Sequence, residues 1–170
     1  MKTIFLKLIF LVCVFSCNKS SKPEDNFYLP SIGFIEVRTI NDFNNKFPVE
    51  FYGYEGLAHK INNEHECFKI IPCSKSTSEV YKTESATTGD IINKLGDQEI
   101  VYFEISFCNS LSKDDFETFI TRHYSELNVS MEFEGDTLKL FHEKELLLQG
   151  TLGMNSKILT FMTYRVFPSS

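Results

Sequence analysis

The sequence predicts an α+β fold: an antiparallel β-sheet with a C-terminal four-strand meander and one main amphipathic helix packed on a face. Three observations predict it. From Val129 onward the apolar pattern has period two, in four short runs joined by tight connections, as half-buried antiparallel strands require. Just before it, residues 113–127 repeat apolar side chains at helical spacing, which lays one stripe on a core. Further upstream come several short strand-like runs, and strands grouped around one long helix are the mark of α+β architecture.

Taken in order, residues 18–31 are polar and carry Pro23 and Pro30, so they read as a flexible spacer. Residues 33–40 read as a strand, with Phe34, Glu36 and Arg38 alternating with Ile35, Val37 and Thr39. Residues 41–46 read as a turn. The run 47–54 has Pro48 near its start and Gly53 near its end, which suits an edge strand. Residues 67–71 make a short strand stopped by Pro72, and 79–83 a further short one. Thr88–Leu95 spans two helical turns with Ile91, Ile92 and Leu95 on one side and Gly96 placed to end them. In 99–108, Val101, Phe103, Ile105 and Phe107 share a face, while Ile100 and Tyr102 imply burial on both sides at the start.

The helix 113–127 is the most fully specified element. Ser112 can cap its free N–H groups, Asp115 can return the bond, and Leu111 can staple onto Phe116. Phe116, Phe119, Ile120, Tyr124 and Leu127 form its buried stripe. In the meander, Val129-Met131-Phe133, Leu138-Leu140, Leu146-Leu148 and 158–167 are separated by turns at Gly135-Asp136, Glu143-Lys144 and 153–156. The stretch from the helix through Glu134-Gly135-Asp136-Thr137-Leu138-Lys139-Leu140 resembles the tail of small META-type β domains of bacterial envelopes. The glycine-cysteine-asparagine segment of that family is missing, so neither function nor residues are carried over.

The N-terminus supplies an address. Lys2 and Lys7 precede an apolar stretch from Leu8 to Phe15, with no acidic residue among the first sixteen, the layout of a signal peptide. A spanning helix needs about 20 apolar residues, and this segment is too short. The residues Val14-Phe15-Ser16-Cys17 and the polar run after them resemble the bacterial lipoprotein signal, with an aliphatic residue three before the cysteine and a small one directly before it. That resemblance implies a signal peptide over 1–16 and a lipidated N-terminus at Cys17, bearing a diacylglycerol and an amide-linked acyl chain. Two or more chains make a stable membrane anchor where one does not. The expected organisation is therefore signal peptide 1–16, lipidated tether 17–31 and one α+β domain over 32–170, held in the bacterial envelope at the outer membrane.

Composition narrows the partners. The chain has 17 Lys plus Arg against 23 Asp plus Glu, a net charge of −6; without Lys2 and Lys7 the basic count is 15 and the net charge near −8. Nucleic acid and anionic headgroups need a basic face. They are not expected partners, and the membrane is reached through the lipid.

Chemistry-bearing residues are few. His59, His65, Cys67 and Cys73, with Glu64 and Glu66 beside them, are ligand types for zinc. They lack the paired C-x₂-C or H-x₃-H spacing, so no metal and no cofactor is expected. There is no G-x-S-x-G elbow and no phosphate-cradling glycine loop. His123 falls in the helix stripe and His142 at a strand end; Asp114 and Asp115 suit a helix N-terminus, and Glu143 and Glu145 a turn. No catalytic residue is assigned. An exported domain should oxidise some of Cys67, Cys73 and Cys108. Six extended steps separate Cys67 from Cys73, roughly 20 Å, too far for a bridge, and Pro72 suggests a loop that would let Cys73 reach Cys108. Phe51, Tyr52 and Tyr54, in an aromatic and asparagine-rich segment, are the expected binding surface, because tyrosine offers area with a polar tip. The reading is a membrane-anchored binding or interaction module with a protein partner, for instance an immunity or inhibitor protein; an accessory subunit of an outer-membrane complex or a small hydrolase are the alternatives.

Overall fold

The structure is a computed structural model that describes residues 26–77, 86–153 and 158–166. The expected signal peptide with Cys17, the tether as far as residue 25 and the strand expected at 79–83 lie outside these residues. In chain order the elements are β1 (Asn26–Leu29), β2 (Gly33–Glu36), α1 (Ile40–Lys46), β3 (Glu50–Phe51), a 3₁₀ turn (Gly53–Glu55), β4 (Leu57–Asn62), β5 (Cys67–Cys73), α2 (Thr88–Leu95), β6 (Tyr102–Leu111), α3 (Lys113–Tyr124), β7 (Val129–Glu134), β8 (Thr137–His142), β9 (Glu145–Thr151), β10 (Ile158–Thr163) and β11 (Arg165–Val166). The expected α+β class and the C-terminal meander are both present.

An eight-stranded antiparallel sheet runs β3-β4-β5-β6-β10-β9-β8-β7, and a three-stranded one runs β11-β1-β2. β7 to β10 are sheet neighbours in chain order, the meander read from period two. Its tight turns need backbone that most residues avoid: Glu143 and Lys144 both have positive φ (48° and 75°), as does Gly135 (59°), the geometry that matches strand twist in short hairpins.

All three of the described helices begin with the same device. Thr39, Thr87 and Ser112 each accept the N–H of an Asp three residues on, and that Asp returns a bond to the cap's N–H, which satisfies two otherwise orphaned donors. These bonds hold the carboxyls of Asp42, Asp90 and Asp115 below their usual range. The turn expected over 41–46 is therefore helix α1. Its N-terminus docks on the end of α2, where Asn41 N–H donates to Gly96 O (2.8 Å). Gly96 ends α2 as expected but with ordinary helical φ of −54°; a Cβ there would collide with the Asn41 side chain, so close approach explains the glycine.

One face of the large sheet is the core. Phe116 and Phe119 of α3 meet Phe161, Phe68 and Phe107 from the sheet, while Phe27 of β1 and Phe43 of α1 meet Phe103 of β6. Such offset and edge-on ring pairs bury large apolar areas in few residues. The buried side chains of all three helices belong to this inner core. Residues 26–29, expected in the flexible spacer, are instead β1, with Phe27 and Leu29 fully buried. Burial of those side chains outweighs the chain entropy of a tether there.

The disulfide joins Cys67 and Cys108, with Cα atoms 5.4 Å apart, and Cys73 is a buried free thiol. This corrects the expected Cys73–Cys108 pairing. Pro72 does not stop the strand: β5 continues to Cys73, opposite Tyr102, and the antiparallel register that sets Phe68 against Phe107 brings Cys67 to Cys108. Pro72 is tolerated because β4 pairs with β5 only from Cys67 to Ile70, so no bond to β4 is lost.

Candidate functional site: the helix-free face of the sheet

Side chains on a strand alternate between faces, so the residues opposite the core line a second face. Three strands form its centre. Lys69, Ser106 and Thr160 make one cross-strand row, Ile71, Glu104 and Met162 the next, and Cys73 and Tyr102 a third. Tyr164 lies beside Tyr102, ring centroids 6.5 Å apart. The buried residues of this face are Ala58, Ile71 and Cys73, overlain by Tyr52 and Tyr102. Among the described residues no helix lays apolar side chains on it.

Its polar groups are partly tied together. Lys69 lies over the Tyr52 ring, 4.9 Å from the centroid, and forms an ion pair with Glu55. The Tyr52 hydroxyl donates to Glu50 (3.0 Å). Burial and the nearby Glu104 charge push the Cys73 thiol up to about 12, so at neutral pH it is a packed thiol, not a nucleophile. The Tyr102 hydroxyl, beside Cys73 and partly buried, is also pushed up to about 12. Glu104 differs from the rest. It sits at the centre of the three rows between Ile71 and Met162, and no described side chain hydrogen-bonds or ion-pairs with its carboxylate. Burial, reinforced by the Glu55 charge, raises its carboxyl above the ordinary Glu value.

The sequence-derived surface divides in three. Phe51 packs against the core, its N–H donating to Thr88 (3.0 Å). Tyr52 belongs to the helix-free face, and Tyr54, 77% exposed, stands on the 3₁₀ turn next to it. Tyr102, Glu104 and Tyr164 were not singled out by the sequence. The signal was there in period two: Tyr102 and Glu104 alternate with the core residues Phe103 and Ile105.

The histidines and cysteines nominated by ligand type do not converge. His59 faces the Pro48 carbonyl (3.0 Å), Cys67 is in the disulfide and Cys73 is under the tyrosines. Among the described residues no three His, Cys, Asp or Glu are grouped to hold a metal.

A second feature lies at the C-terminal end of α3. Ser31 N–H donates to His123 Nδ1 (3.1 Å), which places the proton of the neutral ring on Nε2, where it meets Glu66 Oε2 (2.7 Å). Glu66 also accepts from the Ser31 hydroxyl (2.9 Å) and Arg122 (3.3 Å). Burial pushes the Glu66 carboxyl up, but hydrogen bonds from His123, Ser31 and Arg122 outweigh it, leaving it below its usual range. The His123 and Glu66 side chains are only 7% and 10% exposed. With both ring nitrogens engaged, His123 clamps the β1–β2 turn, where Ser31 has φ of +62°, to α3 and to the loop before β5. The cleft of about 250 Å³ beside it is lined in part by His65, Cys67, Phe107 and Arg122. No protein-family model, curated protein or solved structure matches the chain.

Proposed function

We propose that the chain is a lipid-anchored binding module of the bacterial envelope and that it engages a protein partner through the helix-free face of its large sheet. The observation that carries the reading is the set of partly exposed tyrosines on that face, Tyr52, Tyr102 and Tyr164, interleaved with charged residues. Aromatic residues with polar tips are enriched where proteins meet. The net negative charge favours a basic partner, as an inhibitor or immunity protein facing a basic toxin or hydrolase would have. The Cys67–Cys108 disulfide supports export, since such bonds persist in oxidising compartments. The lipoprotein resemblance at Val14-Phe15-Ser16-Cys17 supports anchorage.

Two measurements in intact cells test it. Cys17→Ala should release the protein from the membrane fraction or leave its signal uncleaved, and a fatty-acid analogue should label the wild type alone. A photoreactive residue at Gln149, on the helix-free face, should give a discrete protein adduct that the same residue at Thr121, on the exposed side of α3, does not give. Equal adducts from both positions, or none from Gln149, would refute the assignment of the face.

A further inference from the structure

We infer that Glu104 is the point at which this face receives a cationic side chain, arginine or lysine, projecting from the protein partner. The inference rests on the reading of the face as a binding surface and adds the chemistry it recognises. Four features of the geometry lead to it. Glu104 stands in the middle strand of the face, so an incoming group reaches it from solvent and not from an edge. Its cross-strand neighbours Ile71 and Met162 are apolar, and they strip water from one side of the carboxylate without giving it a hydrogen bond. Among the described residues the cation beside it on this face, Lys69, one row away, is already held by Glu55 and the Tyr52 ring. Finally, Tyr102, two residues along the same strand, and Tyr164 present ring surface beside the carboxylate, and aromatic faces attract a cation brought within about 6 Å.

A guanidinium fits these features well. Its planar fork can give two parallel hydrogen bonds to one carboxylate while its flat side lies on an aromatic ring. A free small amine fits less well. The cleft beside the disulfide is on the opposite side of the sheet, and a lone cation on an open face gains little unless contacts around it exclude water. Those contacts come with a protein surface. The burial that raises the Glu104 carboxyl has the same origin, a carboxylate desolvated before its counter-charge arrives.

The test uses the mature protein and two capped tripeptides, acetyl-Gly-Arg-Gly-amide and its citrulline counterpart, which keeps the shape and removes the charge. Side-chain NMR should show the Tyr102 and Tyr164 ring signals moving with the arginine peptide at millimolar concentration and not with the citrulline peptide. Glu104→Gln should weaken the arginine peptide by about tenfold or more, the loss expected for a hydrogen bond to a charged group. Glu104→Asp should keep the preference for arginine over citrulline, and Glu132→Gln, on edge strand β7, should change nothing. Equal shifts from both peptides, or full affinity in Glu104→Gln with its melting curve intact, would overturn the inference. If the Gln149 adduct survives Glu104→Gln unchanged, the face binds its partner without Glu104 and only this inference falls. Loss of the adduct in wild type would remove the reading beneath it.

Discussion

Opening the Cys67–Cys108 bridge is a perturbation whose magnitude the chain separation sets. The bridged residues are 41 apart in sequence. The loop-closure relation then gives an unfolded-state entropy loss of about 13 cal/mol/K, or about 4 kcal/mol at 25 °C. Little of this should be offset in the folded state. The two strands stay registered through Phe68 opposite Phe107, and Phe119 packs on both rings, 5.7 and 5.0 Å between centroids. The comparison is a urea titration of the oxidised protein against the double variant Cys67→Ala, Cys108→Ala. The midpoint should fall by the equivalent of about 4 kcal/mol, and the slope should steepen because the unbridged denatured chain exposes more surface. Domains of this size hold about 5–15 kcal/mol in total, so the variant should be folded yet marginal at 37 °C. A loss below about 1 kcal/mol with an unchanged slope would refute the reasoning. It would mean that the denatured chain stays compact between β5 and β6 whether or not the bridge is present.

Two further outcomes concern the core and the clamp. Phe119→Ala removes a ring that touches Phe68, Phe107 and the His123 ring and should cost about 3–5 kcal/mol in a denaturant titration; an unchanged midpoint would show that α3 is not packed on the sheet through this ring. Because the folded Glu66 carboxyl is held below its ordinary value, its contribution is fully present above the unfolded value of about 4.3 and is lost as pH falls through the lower folded value. Stability of the wild type should therefore drop more steeply than that of Glu66→Gln across that acid window, and parallel curves would exclude Glu66 as the titrating group.

Periodicity and caps made much of the fold legible. The box from Ser112 to Asp115 and the stripe from Phe116 to Tyr124 placed α3 to within three residues at its end, and alternation placed the meander. The same box at Thr39 and Asp42 is masked in the sequence, because three asparagines in 41–45 favour turns over helix interiors and the helix they join is only seven residues long. Residues 26–29 looked like tether because four residues carry too short a pattern to show which side is buried. The disulfide partner depends on register between β5 and β6, a non-local property. Even so, Cys67-Phe68 and Phe107-Cys108 are mirror images, which is how two antiparallel strands present a matched pair of faces. Pro72 obscured this by suggesting a loop. Of the candidate face, only Tyr52 is legible in the sequence as a binding residue, since the outward residues of β6 and β10 gain meaning only when no described helix covers them.

Two glutamates separate what stabilises this fold from what the proposed function asks of it. Glu66 and Glu104 are both drawn partly out of water, and burial alone would raise both. Around Glu66 the chain supplies the Ser31 hydroxyl, Arg122 and His123, so the carboxylate form wins and its charge fastens three segments together. Around Glu104 it supplies Ile71, Met162 and the like charge of Glu55, so ionisation is opposed. For a carboxyl raised in this way the sign reverses: stability is greatest below the unfolded value and is lost as pH rises through the folded one. At neutral pH Glu104 thus weakens the fold it sits in. A glutamine would fill the same volume without that penalty, and the surface could keep its solubility from the many other carboxylates. A group that works against folding where a neutral isostere would not is better understood by what completes it. What no described residue gives Glu104 is what Glu66 already has, a cationic donor, and the open side of the sheet is the direction from which one can arrive.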